Sequence, residues 1–211
     1  MGTTFLMSIR TVVLASASPS RKRLLESCGI YPQIMVSGVD EEDPKLASLS
    51  PSELVIALAI LKAHTVKDAA GPNALVIGCD STFEFEGQSL GKPITAENAI
   101  ARAKALRGKT GILHTGHCII DTAQGIEISD ISSSAVTFGN MTDEEIAAYV
   151  ASGEPLEVAG GFTLDGLSAP FIDHIAGDPS GIIGLSLPLL RRAVVQLGLP
   201  WSQISEMVVP A

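Results

Sequence analysis

Basic side chains are scarce in this sequence of 211 residues, and this scarcity limits the kinds of anionic partner that the protein can bind. Lys and Arg total 14 against 23 Asp and Glu, which gives a formal net charge of −9 at pH 7. Proteins that grip nucleic acids present a basic face to the phosphate backbone, and no dense basic stripe occurs in this sequence. We therefore expect no nucleic-acid partner, and any anionic ligand must meet local cations or a bound metal.

Cysteine, aromatic residues and long apolar runs are also lacking. Cys28, Cys79 and Cys118 are widely spaced and form no Cys-x-x-Cys pair, so we predict reduced, buried thiols in a cytoplasmic protein. Aromatic residues make up only 4% of a chain that is 46% hydrophobic, so Ala, Val, Leu and Ile must build the core. No apolar run reaches the roughly 18–20 residues of a membrane span. We expect no membrane partner.

Short apolar runs bounded by Gly, Pro and Ser predict the strands. They are residues 11–15, 33–37 and 74–79, an extended or hairpin segment over 83–90, two segments over 112–121 and 126–138, and a short strand after Gly160-Gly161.

Capping residues predict where the helices begin. Four helices are predicted to begin at such residues: one at Ser18, one at Ser52 and Glu53, one at Thr95, and one at Thr142 with Glu145. A fifth, amphipathic helix is predicted over residues 187–197. Because strands and helices mix without strict βαβ alternation, the sequence predicts a mixed α/β fold. We expect residues 11–211 to form one domain of two lobes, preceded by an N-terminal lead-in over residues 1–10.

Residues 16–23 lie between the first predicted strand and the first predicted helix. Backbone N–H groups and the positive dipole end of a helix bind phosphate there, and Arg21 can donate to two phosphate oxygens at once. A well-capped helix whose Arg and Lys side chains are solvated would explain the same pattern. The two interpretations are equally consistent with the periodicity.

Four further charged positions suggest chemistry, each beside an ordinary explanation. Asp80 follows the predicted strand 74–79 and could hold Mg²⁺ or act as a general base, although an Asx-turn would place it there too. The acidic run 40–43 could supply another metal ligand or form a solvated loop. Lys62 could merely extend from an apolar helix toward water. Lys92 lies in a restricted Gly-Lys-Pro turn, which favours a positioned charge.

A set of short motifs occurs in fixed order between residues 12 and 197. They are LASASPSR at 14–21, VDE at 39–41, LKA at 61–63, GCDS at 78–81, LGKP at 90–93, TG at 115–116, YVASGEP at 149–155, AGGF at 159–162 and GDPSGIIGLSLPL at 177–189. Each motif alone is weak, but the ordered set is specific. It resembles the Maf family of nucleoside triphosphate pyrophosphatases, also described as septum-formation inhibitors.

This resemblance implies a fold, a reaction and a set of site residues. The fold is an elongated mixed α/β structure with two lobes around a deep cleft, related to inosine triphosphate pyrophosphatases. The reaction is hydrolysis of a nucleoside triphosphate to the monophosphate and pyrophosphate with a divalent cation, Mg²⁺ or Mn²⁺, and the family suggests a homodimer. Asp80 matches the proton acceptor and metal-linked acid, and Glu41 matches the second acidic position, so both are expected to be catalytic and to hold the metal. Substrate-binding positions are Ser16, Ser18, Arg21, Lys62 and Lys92, and specificity positions are Ser20, Ser81 and Asp165.

Four departures from the family pattern leave the preferred base open. Members that act on dTTP and UTP carry Arg and Gln where this chain has Ser20 and Asp165. An acid at position 165 resembles the branch that accepts 7-methyl-GTP, because a carboxylate can accept from the N–H donors of guanine. The aromatic residue found near Ser20 in that branch is missing, and Val158 stands where many members have Lys.

Two rival functions remain at this stage. One is a nucleotide-binding regulatory protein of cell-division arrest, whose pocket senses nucleotides without cleaving them. The other is a plain phosphatase, which would release orthophosphate first.

Overall fold

The structure, a computed structural model, describes residues 10–206. The strands are β1 (Thr11–Leu14), β2 (Gln33–Ile34), β3 (Ala74–Phe85), β4 (Gln88–Leu90), β5 (Thr110–Asp121), β6 (Ile126–Phe138) and β7 (Ile172–Ala176). The helices are α1 (Pro19–Ser27), α2 (Pro51–Lys67), α3 (Ala96–Leu106), α4 (Asp143–Ala151), α5 (Pro179–Ile183) and α6 (Leu187–Gln196).

All seven strands form a single mixed sheet in the order β2-β1-β3-β5-β6-β7, with β4 also paired to β3. Strand β1 is parallel to β2 and β3, whereas the remaining pairs are antiparallel. This sheet and its helices confirm the predicted mixed α/β class.

Buried apolar side chains of the described chain form four clusters. Near β1, side chains alternate between the faces, so that Leu14 and Ile77 pack with α1 and α6 while Val13 and Val76 pack with α2. At the far end of β3, the rings of Phe83, Phe138 and Phe162 meet edge to face, with centroids 5.0 to 5.7 Å apart. A separate cluster joins α3 to α4. The two lobes that the resemblance implies stay a prediction.

Several helix starts are confirmed by their capping contacts. The hydroxyl of Ser18 caps α1, Thr95 caps α3, and Thr142 with Glu145 forms the predicted capping box of α4. The start of α2 was predicted wrongly. Its N-cap is Ser50, whose hydroxyl pairs with Glu53, and Pro51 takes the first helical position in place of Ser52.

Three predicted strands also need correction. Asp80 does not end a strand, because β3 continues to Phe85 through its pairing with β5, including Ser81 with Thr115. The strand predicted over 33–37 shrinks to the two residues of β2. The double glycine Gly160-Gly161 lies in a 3-10 turn, and the next strand begins only at Ile172.

The predicted N-terminal lead-in lies outside the described residues except for Arg10, which is anchored. Its guanidinium is buried and donates two hydrogen bonds to Asp121, at 2.6 and 2.8 Å. Arg10 therefore belongs to the folded part of the chain.

The predicted burial of the thiols holds for two of the three cysteines. Cys79 and Cys118 are buried and Cys28 is partly exposed, and all three thiols are free. Burial raises the pKa of Cys79 and of Cys118 to about 12, so neither thiol ionises at neutral pH. Between residues 10 and 206, every helix is too short or too polar to cross a membrane.

Candidate active site

An opening in the sheet creates the candidate site. Strand β1 pairs with β3 only as far as Ile77, and β4 pairs with β3 only from Phe83 onward. Between residues 10 and 206, no strand covers this edge of β3 over residues 78–82, although β5 pairs with its other edge. Side chains at this opening can therefore meet a ligand beside a rigid strand.

Arg21 lies buried at the opening, in the first turn of α1. Its Nε donates to the carbonyl oxygen of Gly184 at 2.8 Å, Nη1 to Ser16 Oγ at 3.0 Å and Nη2 to Ser81 Oγ at 3.1 Å. The interpretation of Arg21 as a solvated helix cation is therefore wrong. No carboxylate of residues 10–206 forms an ion pair with Arg21, so its buried charge is balanced by neutral oxygens alone.

Ser16 and Ser18 complete this side of the site. The Ser16 hydroxyl accepts from the Ser18 backbone N–H at 3.2 Å as well as from Arg21, and the Ser18 hydroxyl accepts from the Arg21 backbone N–H at 3.4 Å. The predicted residues between β1 and α1 thus form one hydrogen-bonded group around the guanidinium.

Lys62 joins the two predicted acids on the opposite face of β3. Its Nζ lies 2.6 Å from Asp80 Oδ1 and 2.6 Å from Glu41 Oε1. Both Lys62 and Asp80 are buried, whereas about half of the Glu41 side chain is exposed. Lys62 therefore does not extend into water from α2, and Asp80 forms no simple Asx-turn.

The two acids differ in their tendency to hold a proton. Burial raises the pKa of Asp80, and the charges of Lys62 and Arg21 only partly oppose this effect. Burial acts in the same direction on Glu41, but Lys62, with help from Lys92 and Arg21, outweighs it and lowers the pKa of Glu41. Two carboxylates that share one ammonium thus have pKa values shifted in opposite directions.

Ser81 connects Arg21 to a further polar chain. Its hydroxyl lies 2.8 Å from Thr115 Oγ1, and Thr115 donates to the carbonyl oxygen of Gly181 at 2.8 Å. Because successive residues of a strand point to opposite faces, Ser81 and Asp80 place the arginine group and the lysine group on the two sides of one strand.

Arg23, which is not among the predicted site residues, joins Ser20 to Asp165, although these two are remote in sequence. Arg23 Nη2 donates to Ser20 Oγ at 2.9 Å and to Asp165 Oδ2 at 3.1 Å. The only signal in the sequence was the spacing of Ser20 and Arg23, which lie three residues apart on one face of a helix.

Lys92 is the predicted residue that stands apart. Its Nζ lies 3.8 Å from Glu157 Oε2, and both side chains are largely exposed. Its charge lowers the pKa of Glu41, but its ammonium contacts none of the other predicted site residues.

The two histidines of β5 lie three residues apart on one strand and therefore point to opposite faces of the sheet. His114 contacts Glu84 and Ser133, whereas His117 accepts from the Ser186 backbone N–H at 2.8 Å. Burial, followed by the charge of Arg21, lowers the pKa of His117 to about 4. His117 is therefore neutral at physiological pH.

A protein-only metal cage does not occur within residues 10–206, where no group of three or more His, Cys, Asp or Glu side chains could hold an ion. Glu41 and Asp80 nevertheless converge on one cationic group. Two carboxylates suit Mg²⁺, which is commonly bound by one or two carboxylates together with substrate phosphates.

Comparison with known proteins gives matches over nearly the whole chain. The family model described as Maf-like protein matches residues 11–197. A nucleoside triphosphate pyrophosphatase from Streptomyces coelicolor is 57% identical and covers 96% of both chains. Proteins with the same name are 54% identical in Streptomyces avermitilis, covering 92% of this chain and 94% of the relative, and 50% in Thermosynechococcus vestitus, covering 92% and 97%.

One solved structure also aligns with the chain. It is a nucleoside-triphosphatase (dITP/XTP pyrophosphatase) from Mycobacterium abscessus, with a TM-score of 0.40, 13% identity, and coverage of 89% of this chain and 94% of its own. The family match and the relatives, at half identity or more over almost their full length, show that the chain belongs to the Maf-like protein family.

Proposed function

We propose that this protein is a nucleoside triphosphate pyrophosphatase, which hydrolyses the bond between the α and β phosphates. The observation that supports this most strongly is the buried guanidinium of Arg21, which has no ion-pair partner within residues 10–206. Three of its five N–H donors are used, so two remain for phosphate oxygens. A buried, unneutralised cation at the opening of the sheet favours a polyanionic ligand.

Asp80 is the residue that we assign as general base. A general base works best when its pKa approaches the operating pH, and burial moves the pKa of Asp80 upward in that direction. Asp80 would accept a proton from a water molecule whose oxygen attacks the α-phosphorus. The bond from that phosphorus to the bridging oxygen then breaks, and its electron pair leaves with pyrophosphate.

Glu41 and Asp80 are also the residues that would hold a divalent cation, Mg²⁺ or Mn²⁺. Such a cation supplies positive charge that offsets the negative charge on the phosphates. Lys62 donates to both acids and would keep them oriented toward each other. Arg21 with Ser16 and Ser18 would bind phosphate oxygens from the other face of β3, and Lys92 would add a more distant positive charge.

The substitution Asp80→Asn tests this assignment. We expect pyrophosphate release to fall to background while circular dichroism shows a folded chain, since the amide keeps the shape of the carboxyl but accepts no proton. Asp130→Asn serves as the control, because Asp130 is exposed on β6 and contacts only a backbone N–H. Near-normal release of pyrophosphate by Asp80→Asn would refute the assignment, and orthophosphate as the first product would indicate a plain phosphatase.

The wider role follows from the same proposal. We propose that the enzyme acts in the cytoplasm as a homodimer and removes non-standard nucleotides from the pool. The rival role is that of a regulatory protein of cell-division arrest, which binds a nucleotide without cleaving it. Such a protein would not need a buried acid of raised pKa at the ligand site.

A further inference from the structure

The segment of residues 178–187 lies against Arg21 on one face of the sheet. The carbonyl oxygen of Gly184, in this segment, accepts from Arg21 Nε at 2.8 Å. A Cβ added to Gly184 would lie 3.3 Å from Nε and 3.5 Å from Cγ of Arg21, so the arginine side chain packs directly on this backbone. Because a hydrogen bond prefers a straight N–H···O angle, the direction of this one carbonyl helps to fix the orientation of the guanidinium.

The backbone N–H groups near Gly184 have two kinds of partner. Those of residues 184, 185 and 187 all donate to Ser180, at distances from 2.9 to 3.2 Å, and so stay within the segment. Ser186 differs, because its backbone N–H donates to Nε2 of His117 on β5, at 2.8 Å. His117 therefore ties this end of the segment to the sheet.

Two other side chains of the sheet hold the segment nearer its start. Ser134 accepts from the backbone N–H of Asp178 at 2.8 Å and donates to its carbonyl oxygen at 3.3 Å, and Thr115 donates to the carbonyl oxygen of Gly181 at 2.8 Å. These hydrogen bonds leave the direction of the chain after Gly181 free. The bond from Ser186 to His117 fixes it on the far side of Gly184.

The chemistry of His117 suits it to accept this one hydrogen bond. Its side chain is fully buried, and burial, followed by the charge of Arg21, lowers its pKa to about 4, so that the ring is neutral. Because Nε2 accepts, the ring proton lies on Nδ1, which has no hydrogen-bond partner among residues 10–206. A buried polar atom without a partner destabilises a fold, so an apolar side chain would suit this place better unless the acceptor were needed.

We propose that His117 is a positioning residue for phosphate binding by Arg21. Its neutral imidazole holds the Ser186 backbone N–H, this fixes the carbonyl of Gly184, and that carbonyl keeps the two free donors of the guanidinium directed at the substrate. His117 would act through Arg21 alone, since its own side chain is fully buried. This inference rests on the proposed function.

The tautomer of His117 in the wild type is the first test, and it needs no variant. Nitrogen-15 NMR distinguishes a protonated ring nitrogen from an unprotonated one. At pH 7 we expect the proton of His117 on Nδ1 and none on Nε2. A proton on Nε2 would overturn the inference, because that nitrogen could not then accept from Ser186.

The second test compares His117→Leu and His117→Gln with the wild type. Leucine fills the space without an acceptor, whereas the amide oxygen of glutamine can accept from Ser186. Ile119→Val is the control, because Ile119 is fully buried on the same face of β5 and its truncation lowers stability without removing a hydrogen bond. For each protein we would measure the unfolding free energy, the exchange of the Arg21 Nε–H with solvent, and the dissociation constant of the α,β-methylene analogue of GTP with Mg²⁺.

In His117→Leu, the Arg21 Nε–H should exchange faster, and the analogue should bind at least about 10-fold more weakly, since small misplacements of a binding group are costly. His117→Gln should restore most of both properties, and Ile119→Val should keep both at wild-type values. Wild-type exchange and affinity in His117→Leu would overturn the inference. Equal losses in Ile119→Val would also overturn it, by showing that His117 acts only through stability.

Pyrophosphate release from GTP, measured in parallel, separates this inference from the proposed function. A wild type that binds the analogue in a manner that depends on His117, but releases no pyrophosphate, would refute the proposed function alone. Release of pyrophosphate by an enzyme whose Arg21 does not depend on His117 would refute the inference alone.

Discussion

Two buried cations at the opening of the sheet have different electrostatic surroundings. Arg21 is held by three neutral oxygens, whereas Lys62 is balanced by two carboxylates. The first arrangement leaves positive charge for a ligand, and the second sets the protonation of the acids. We therefore assign phosphate binding mainly to Arg21 and control of Asp80 mainly to Lys62.

Lys62→Met tests this division at the scale of one residue. Methionine keeps most of the side-chain length but removes the ammonium, so both acids lose the charge that lowers their pKa values. We expect pyrophosphate release to fall by at least about 100-fold, which is typical when a charged group is removed from an active site. Lys67→Met, on the same helix but outside the group around Asp80, should retain activity. Wild-type release by Lys62→Met would contradict the assigned role.

The sequence identified most of these residues but not their contacts. Ser16, Arg21, Lys62 and Asp80 stand in recognisable motifs, and the structure brings them together around one stretch of β3. The Arg23 contact with Asp165 could not be predicted, because it depends on where a loop more than a hundred residues away is placed. Local spacing carries no information about such a pairing.

At the scale of elements, α2 lies unusually close to the sheet. A Cβ added to Gly78 would lie 2.2 Å from the carbonyl oxygen of Ala59, and one added to Gly116 would lie 2.2 Å from that of Val55. These distances are too short for any side chain. The two glycines therefore allow α2 to pack at the depth where Lys62 reaches Asp80.

Gly78→Ala should disturb both stability and the site. The methyl group must push α2 outward, and overpacking of this kind costs about 1–3 kcal/mol of unfolding free energy. Because Lys62 moves with the helix, pyrophosphate release should fall as well. Gly91→Ala is the control, since its added Cβ meets no atom within 4 Å. Denaturant unfolding of the two variants checks the expectation, and equal stability would show that α2 does not depend on close approach.

Element boundaries were predicted well where capping side chains mark them and poorly where pairing sets them. Thr142 with Glu145 gave the start of α4 correctly, because a capping box is a local signal. The continuation of β3 past Asp80 was missed, because polar residues such as Ser81 and Thr82 are held in the strand by β5. A strand whose extent depends on a distant neighbour cannot be bounded from its own residues.

For the whole molecule, the ion pair of Arg10 and Asp121 ties the start of the described chain to the end of β5. The hydrogen bonds from Arg10, together with those from Gln124 and Ala123, outweigh burial and lower the pKa of Asp121 to about 2. A carboxyl whose folded pKa lies below its unfolded value near 3.9 stabilises the fold above that pH.

Acid titration of the unfolding free energy tests this contribution. A shift from about 3.9 to about 2 corresponds to about 2–3 kcal/mol, which is present at neutral pH and lost as pH falls from about 4 toward 2. Asp121→Asn should therefore be less stable than the wild type at pH 7, and the difference should shrink over that acid range. A difference that stays constant down to pH 2 would show that the pair does not act through protonation of Asp121.

The net charge of −9 also bears on how the whole molecule binds an anionic substrate. A uniformly acidic surface would repel a triphosphate, but the buried guanidinium of Arg21 offers positive charge where the sheet opens. The proposed function therefore needs only a few local cations to bind one small polyanion on an acidic protein.

The central claim is that water attacks the α-phosphorus of a nucleoside triphosphate at this opening. Hydrolysis of GTP in water that carries a heavy oxygen isotope tests it directly, with the products separated and analysed by mass spectrometry. The account predicts the heavy oxygen in the nucleoside monophosphate and none in the pyrophosphate released with it. Label in pyrophosphate, or in orthophosphate released beside a nucleoside diphosphate, would contradict it.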